Sequence, residues 1–261
     1  MDEERSSGTP AGDPGDTSVR DTYDRISEHF ASTREYPWPE VTAFLGGEPA
    51  GNLDPETAAA LGDGASVVDG AVQEATEGGS GRLGLDVGCG NGRHCESLAG
   101  VVERVVGVDA SRGLLDTARE RARNRGFDDA LGLVQADAAT LPLRADVVGV
   151  AVYVATLHHL RPRARRVASL SELARVLAPG GRALVSAWST AHDRFDETAG
   201  FDTTVPWTLP GGERVDRFYH IYDPAEFEAD LTASDLDVVA SVVSSGNCYA
   251  VVEAESAATT V

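Results

Sequence analysis

A glycine-rich stretch with the letters LDVGCGNG begins at Leu85. Glycines at this spacing allow a tight turn and let the backbone approach a ligand closely at the N-terminus of a helix. A dinucleotide-binding fingerprint would need a glycine at position 93, where the chain has Arg93. The spacing therefore argues against a pyrophosphate and for a smaller ligand of the adenosine type. The candidate positions are Asp86, Gly88, Gly90 and Gly92.

Two aspartates follow this loop at the ends of apolar stretches. Asp109 ends ERVVGVD, and Asp137 follows LGLVQA. In nucleotide-binding folds, an acid at the tip of the second strand can accept hydrogen bonds from both ribose hydroxyls. We expect Asp137 to accept a hydrogen bond from an adenine amino group, and we assign Ala110 and Ala138 to the same site. For either aspartate alone, a helix N-cap or an ordinary loop position is the alternative.

Aromatic, histidine and arginine side chains gather in three places around these stretches. The first is HFASTREYPWPEV, residues 29–41; the second is ATLHHLRP; and the third is VPWTLPGGERVDRFYHIYD. We expect all three to lie outside the regular strands, where α/β proteins keep their functional sites. The alternative for each is a structural role, as packed aromatics or buried histidines. Together with the end of ALVSAW, they supply the candidates Arg34, Trp38, His158, His159, Trp188, Trp207, Tyr219 and His220.

The elements that would position these residues alternate between strands and helices. Five apolar stretches are typical of strands: RLGLDV, ERVVGVD, LGLVQ, DVVGVAVYV and RALVSAWS. Two more strands are predicted within DLDVVASVVSSGNCYAVVEAE, and one of them can be antiparallel. Amphipathic stretches with helical spacing lie between the strands and at residues 22–32. Strands that are apolar throughout indicate a parallel sheet covered by helices on both faces.

Composition shifts divide the chain into five segments. Residues 1–20 are predicted to be a disordered acidic tail, and residues 21–45 an N-terminal helix and loop that cap the substrate site. Residues 46–81 are predicted to be an acidic, glycine-rich surface insertion without chemistry of its own. Residues 82–188 would form the cofactor-binding core, and residues 189–261 a substrate-binding segment with the final strands of the same domain.

The charge of the chain is unusual, because its formal net charge is -20 and all 22 basic residues are arginine. A large, spread-out negative charge keeps a protein soluble and is a feature of halophiles. We therefore expect the chain to work in a salt-rich cytoplasm. In molar salt the Debye length is only about 3 Å, so the acidity does not exclude a nucleic-acid substrate.

Other classes of protein are disfavoured by the same composition. No apolar run approaches the roughly 20 residues needed to span a bilayer, so no membrane partner is expected. The N-terminal letters MDEERSSGTP are too acidic and polar for a signal peptide. The cysteines Cys89, Cys95 and Cys248 lack paired metal-ligand spacing, so we expect reduced thiols and no metal site.

The glycine loop, the two aspartates and the LAPGGRALVSAW turn and strand resemble the class I S-adenosylmethionine-dependent methyltransferases over residues 82–188. That resemblance implies a Rossmann-like fold and S-adenosylmethionine as cofactor. The glycine loop is common to the whole class, whereas the stretches TREYPWP and VPW with RFYHIY are specific to one subfamily. They resemble the tRNA methyltransferases that esterify 5-carboxymethyluridine at the wobble position, which occur as a free enzyme and fused to an AlkB-type dioxygenase.

The chemistry implied by this resemblance is the transfer of a methyl group to a carboxylate. A carboxylate is ionised near neutral pH, so no general base is needed. The site must instead grip one carboxylate oxygen and leave the other free. Arg34 is the first choice for this role, since guanidinium matches carboxylate geometry. His158 or His159 is the second choice, and the sequence does not say which faces the substrate, while Trp188 is a candidate face for stacking the uracil.

The family resemblance also implies two partners, tRNA and a small zinc-binding activator protein that adds a strand to the sheet edge. Two other functions stay open at this stage. One is a class I methyltransferase acting on a small molecule such as a quinone, which would not be expected to have Arg34 within TREYPWP. The other is a non-catalytic scaffold, which would have no reason to keep the glycine loop and Asp109 intact.

Overall fold

The structure is a computed structural model that describes residues 18–48, 53–62 and 83–255. The predicted tail 1–20 lies outside the described residues apart from its last three positions. The predicted insertion 46–81 is described only at 46–48 and 53–62. The helices and strands below are numbered in chain order within the described residues.

A seven-stranded sheet forms the centre of the fold, in the order β3-β2-β1-β4-β5-β9-β8. Strands β1 to β5 pair in parallel, and β9 runs antiparallel to both of its neighbours. The predicted mostly parallel seven-stranded sheet is therefore confirmed. Its strands are β1 Leu83–Val87, β2 Arg104–Asp109, β3 Leu131–Gln135, β4 Val148–Val154, β5 Leu177–Trp188, β8 Leu236–Ser244 and β9 Asn247–Ala254.

Seven helices are described, and local signals explain several of their ends. The hydroxyl of Ser111 accepts a hydrogen bond from the N–H of Leu114 and caps α5, which ends at Gly126 in a left-handed conformation. The helices are α1 Val19–Ser32, α2 Pro39–Phe44, α3 Pro55–Leu61, α4 Arg93–Ala99, α5 Arg112–Arg125, α6 Arg163–Val176 and α7 Pro224–Thr232, with a 3-10 turn at Leu157–His159.

Both faces of the sheet are covered, which accounts for the fully buried strand β4. One core cluster packs Leu173 of α6 and Phe227 of α7 against the sheet. The other packs Phe44 of α2 and Leu98 of α4 against the opposite face. No helix among the described residues is long and apolar enough to cross a membrane.

A separate antiparallel hairpin is formed by β6 Phe201–Thr208 and β7 Arg214–Ile221. The expectation that all three aromatic clusters lie outside regular strands is therefore wrong for this one. Residues Val215, Arg217, Tyr219 and Ile221 alternate along β7, and all are buried. That period of two is a strand pattern, but an arginine at one of its inward positions obscures it.

Candidate active site

A cavity of about 420 Å³ lies where strands β1 to β4 end, and the glycine loop forms one of its walls. This is the crevice at the carboxyl ends of the strands, where open α/β sheets bind ligands. Six of the predicted cofactor residues line it: Gly88, Gly90, Asp109, Ala110, Asp137 and Ala138. We call it the cofactor cavity.

The glycine loop turns sharply between β1 and α4. Gly88 has a φ of +72°, and a Cβ placed on it would lie 2.1 Å from the hydroxyl oxygen of Thr156. The N–H groups of Gly88 and Cys89 both donate to the carbonyl of Val108, at 2.7 and 3.0 Å. The loop is therefore tied to β2, and Gly88 cannot carry a side chain without displacing Thr156.

Asp109 sits at the tip of β2 beside the loop. Its Oδ2 accepts a hydrogen bond from the N–H of Gly90 at 2.9 Å, and its Oδ1 accepts one from Ser111 at 2.8 Å. An ionised carboxylate has about four lone-pair sites, so it can still accept from a ribose diol. Burial raises the pKa of Asp109 to about 6, against the opposing effect of the two backbone N–H groups.

Asp137 lies at the mouth of the cofactor cavity and is exposed. Its carboxylate accepts a hydrogen bond from the N–H of Ala139 at 2.9 Å and pairs with Arg165 of α6. Arg165 also lines the cavity. This rim is thus held in place by a surface ion pair, and the Asp137 carboxylate keeps lone pairs for an amino donor.

Asp86 and Gly92 support the loop from beneath and do not line either cavity. Asp86 is 1% exposed and accepts a hydrogen bond from the Cys95 thiol at 3.3 Å. Burial raises the pKa of its carboxyl to about 7. Gly92 is the N-cap of α4, with a φ of 76°. Both residues therefore have a structural role in supporting the glycine loop.

The residues around the cofactor cavity fit the adenosyl group of S-adenosylmethionine. Asp109 has acceptor capacity for the ribose hydroxyls, and Gly90 leaves the cavity open because a Cβ there would meet Phe30 alone among the described residues, at 3.9 Å. Val108 and Leu114 supply apolar wall for a planar base. When bound there, the cofactor would supply a methyl group carried on a sulfonium.

A second cavity of about 800 Å³ adjoins the first, and Tyr23, Phe30, Arg93 and Ala155 line both. Ala155 has a φ of 56°, a conformation that is costly for a residue other than glycine and that collects at functional sites. We call this second cavity the substrate cavity. It is lined by Trp38, Trp188, Trp207 and Tyr219, all of which were predicted as substrate residues.

The substrate cavity is cationic although the chain carries a formal net charge of -20. Among the described residues its lining contains one acid, Glu35, which pairs with Arg125. A site that concentrates positive charge in so acidic a chain is suited to an anion. The cationic lining residues are Arg34, Arg93, Arg194 and Arg217.

The two adjacent histidines line different cavities. His159 lines the cofactor cavity, with Nδ1 2.8 Å from the carbonyl of Phe218 and Nε2 2.9 Å from the Tyr23 hydroxyl. His158 lines the substrate cavity, and its Nδ1 accepts the N–H of Trp188 at 3.1 Å. Of the two histidines, His158 is therefore the one that lines the substrate cavity.

Both imidazoles are neutral near pH 7. Burial lowers the pKa of His158 well below its usual value, with the neighbouring His159 adding to the effect. Burial likewise lowers the pKa of His159 to about 4. Because Nδ1 of His158 accepts, its proton lies on Nε2. His158 can thus donate a hydrogen bond to an anion, and it is not available as a base at Nδ1.

Arg34 follows α1 at the edge of the substrate cavity. Its guanidinium lies 5.2 Å from the Phe30 ring centre and 5.5 Å from that of Trp207. The Arg34 backbone carbonyl accepts a hydrogen bond from the side-chain amide of Asn91 at 2.9 Å. Asn91 belongs to the glycine loop, and it is one functional candidate that the sequence analysis missed.

Arg217 is the second functional candidate that the sequence analysis missed. It lies at a buried position of β7, with its guanidinium 4.9 Å from the Trp207 ring and 5.1 Å from the Tyr219 ring. The signal that could have found it is the alternation along RVDRFYHI, which places this arginine on the same face as Val215 and Tyr219.

His220 is not brought to either cavity. Its ring lies between two carboxylates, with Nδ1 2.7 Å from Asp202 and Nε2 2.9 Å from Glu226. Its neighbour along the strand, Tyr219, points to the opposite side because side chains alternate across a strand. The structure therefore gives His220 a place in the support of the hairpin.

Comparison with known protein families and sequences agrees with this geometry. A family model described as a methyltransferase domain matches residues 85–185. The tRNA (carboxymethyluridine(34)-5-O)-methyltransferase of Saccharomyces cerevisiae is 30% identical over 196 residues, covering 74% of this chain and 57% of that protein. The protein of the same name from Arabidopsis thaliana is 30% identical over 175 residues, covering 67% of this chain and 33% of that protein.

Solved structures show the same fold at lower sequence identity. The CcbJ methyltransferase of Streptomyces caelestis matches with a TM-score of 0.57 and 20% identity, over 92% of this chain and 99% of that one. A S-adenosylmethionine-dependent methyltransferase from Clostridium acetobutylicum matches with a TM-score of 0.54 and 15% identity, over 74% of this chain and 92% of that one.

The sheet order, the glycine loop and the cofactor cavity define a class I S-adenosylmethionine-dependent methyltransferase. Within that class, the chain is similar to the tRNA (carboxymethyluridine(34)-5-O)-methyltransferases of yeast and Arabidopsis. The chain spans 57% of the yeast relative and 33% of the Arabidopsis relative.

Proposed function

We propose that this protein methyl-esterifies the carboxylate of 5-carboxymethyluridine at the wobble position of tRNA, with S-adenosylmethionine as donor. The names of its relatives in yeast and Arabidopsis support the reaction. The observation that carries the proposal is the substrate cavity, which joins the cofactor cavity and collects four arginines in a chain of net charge -20. An uncharged substrate would give no reason for that concentration of cations.

The side chains present suit a nucleophile that is already charged. The acceptor carboxylate is ionised at neutral pH, so the site needs hydrogen-bond donors and does not need a base. The arginines donate without acceptor capacity, and neutral His158 donates from Nε2. Rate acceleration would then come mainly from positioning the carboxylate oxygen beside the cofactor cavity.

The uracil ring would stack on the aromatic wall of the substrate cavity. Trp188 lines that cavity, with its ring 4.9 Å from Tyr219 and 6.3 Å from His158. A base stacked on an aromatic side chain gains about 1–3 kcal/mol. This geometry supports the assignment of Trp188 as the base-stacking residue.

We also propose that a small zinc-binding activator protein assists the enzyme. The described sheet ends at β3 on one side and β8 on the other, so each edge offers backbone groups for an added strand. Val238, Val239 and Val243 of β8 are exposed, and such apolar surface is suited to a partner. Comparing the turnover of the pure chain with that of the chain plus the activator tests this proposal.

We further propose that the enzyme works in a cytoplasm rich in salt. The support is the net charge of -20 together with basic residues that are all arginine. Under those conditions screening would let an acidic protein approach tRNA.

The experiment that tests the function is mass spectrometry of tRNA nucleosides from a strain lacking the gene. The strain should lose the methyl ester of the wobble uridine and accumulate the free acid. Complementation with Arg34→Ala should fail to restore the ester, because one of the cavity's cations is lost. Complementation with Arg123→Ala, which changes an exposed arginine outside both cavities, should restore it. An unchanged nucleoside profile would refute the tRNA function and direct attention to the quinone pool.

A further inference from the structure

Arg217 is a buried cation without a compensating anion in the described part of the chain. Its side chain is 6% exposed, and its Nε atom is buried without a hydrogen-bond partner there. The groups packed around it are uncharged: the Tyr23 hydroxyl, 3.3 Å from Nη1, and the rings of Trp207 and Tyr219. Within the ranges 18–48, 53–62 and 83–255, no carboxylate pairs with it.

A second buried arginine shows how this chain ordinarily compensates such a charge. Arg166 is 4% exposed and pairs with Glu226 at 3.1 Å and with Asp230 at 3.3 Å. A buried charge without such pairing is costly, and the chain has 42 acidic residues from which a partner could come. The missing anion at Arg217 therefore indicates a ligand that brings its own negative charge.

The orientation of the Arg217 guanidinium is set by a chain of hydrogen bonds. His159 Nδ1–H donates to the carbonyl of Phe218, so His159 Nε2 accepts from the Tyr23 hydroxyl. The Tyr23 oxygen then accepts from Nη1 of Arg217. Because Nη1 donates to Tyr23, Nε and Nη2 remain available to donate to a ligand. Their N–H bonds are parallel, which matches the two oxygens of a carboxylate.

We propose that Arg217 binds the substrate carboxylate through Nε and Nη2, and that this anion compensates the buried charge. Arg34 lies 5.5 Å from the Trp207 ring, to which Arg217 also packs, and it adds positive charge at the cavity edge. Each carboxylate oxygen has a second lone pair, so an oxygen bound by Arg217 can still accept the methyl group. The proposal rests on the proposed function, and it names the residue that recognises the acid.

The first test separates binding from folding. Arg217→Met removes the charge at similar length, so we expect an unchanged or raised melting temperature, together with a loss of about 100-fold in kcat/KM for tRNA. The matched control is Arg166→Met, which removes a cationic partner from both Asp230 and Glu226 and should lower the melting temperature. A fall in melting temperature for Arg217→Met as large as for the control would overturn the proposal, because it would make Arg217 structural.

The second test needs no turnover. The probes are the nucleosides 5-carboxymethyluridine and its methyl ester, titrated into the protein saturated with S-adenosylhomocysteine. We expect the wild type to bind the acid at least about tenfold more tightly than the ester, and Arg217→Met to bind both equally. Retained preference in Arg217→Met would overturn this proposal and leave the proposed function standing. No preference in the wild type would overturn both.

Discussion

The side-chain amide of Asn91 lies 2.9 Å from the backbone carbonyl of Arg34 and 3.3 Å from that of Ala31. The glycine loop of the cofactor cavity therefore fixes the end of α1, from which Arg34 enters the substrate cavity. A third contact joins α1 to another wall of the cofactor cavity, because Asp24 of α1 accepts a hydrogen bond from the hydroxyl of Ser111, the N-cap of α5, at 2.6 Å. Helix α1 is thus a wall common to both cavities, and it is attached to residues that line the cofactor cavity.

Replacing Asn91 with alanine should weaken tRNA binding through Arg34. Loss of these two hydrogen bonds costs about 1 kcal/mol each, or about 2 kcal/mol together, so we expect the KM for tRNA to rise by up to about thirtyfold. The KM of the Arg34→Ala variant should change little when Asn91→Ala is added, because Arg34 carries the effect. Steady-state kinetics of the two single variants and the double variant measure this coupling, and additive effects would show that Asn91 acts separately.

Replacing Gly88 with alanine should abolish cofactor binding. The new Cβ would lie 2.1 Å from the Thr156 hydroxyl oxygen, and the backbone has a φ of +72°. The matched control is Gly126→Ala, since Gly126 has a φ of +75° and its new methyl group would meet no described atom within 4 Å. We expect about 1 kcal/mol of destabilisation for the control and at least twice that for Gly88→Ala. Isothermal titration with S-adenosylhomocysteine measures cofactor binding, and urea unfolding measures the free energy of unfolding. Equal losses in Gly88→Ala and Gly126→Ala would show that the clash with Thr156 is unimportant.

Cofactor affinity should fall in mild acid because of Asp109. Its folded pKa, about 6, lies above the unfolded value of about 3.9, so protons are taken up on folding between these values. The contribution of Asp109 to the free energy of unfolding is therefore fully present at low pH, and it is lost as the pH rises through about 6. Binding has the opposite sign, since the ribose hydroxyls need the ionised form. The dissociation constant for S-adenosylhomocysteine should rise about tenfold between pH 7 and pH 5.

The control for this titration is Asp109→Asn. It should bind the ligand weakly at every pH and show no step near pH 6, whereas Asp86, with a pKa of about 7, stays intact in that variant. A step that persists in Asp109→Asn would assign the titration to Asp86.

The protein should become more stable as salt is added. At a net charge of -20, repulsion between like charges disfavours the compact state, and the Debye length falls from about 10 Å at 0.1 M to about 3 Å at 1 M salt. We expect the melting temperature to rise steadily between 0.1 and about 2 M KCl. An equal osmolarity of sucrose serves as the control for solvent exclusion. A melting temperature that is flat or falling in KCl would contradict the proposal of a salt-rich cytoplasm.

The sheet and the cofactor loop could be predicted from the sequence because their signals are local. Each signal can be recognised within ten residues of sequence. Examples are the apolar run VGVAVYV in β4 and the alternate glycines after Asp86. The substrate cavity depends instead on contacts between distant segments. Arg217 reaches Tyr23 across 194 positions, and Asn91 reaches Arg34 across 57.

His220 in the hairpin shows the opposite difficulty. Its residue type suggested a substrate-binding role, but its position in the structure does not support that role. A histidine among aromatics is a plausible site residue, yet the strand period places His220 between Asp202 and Glu226. Which of two neighbouring histidines faces the substrate was likewise open, because a 3-10 turn sets their directions.

The decisive measurement is the fate of a deuterated methyl group in vitro. The purified chain, alone and with the proposed activator, would be incubated with S-adenosylmethionine carrying a CD₃ group and with tRNA from the deletion strain. We expect the label on the wobble nucleoside as an ester that mild alkali releases, and about 100-fold less of it with Arg217→Met. Label that is absent, or that is fixed to a base or ribose and survives alkali, would contradict methylation of a carboxylate.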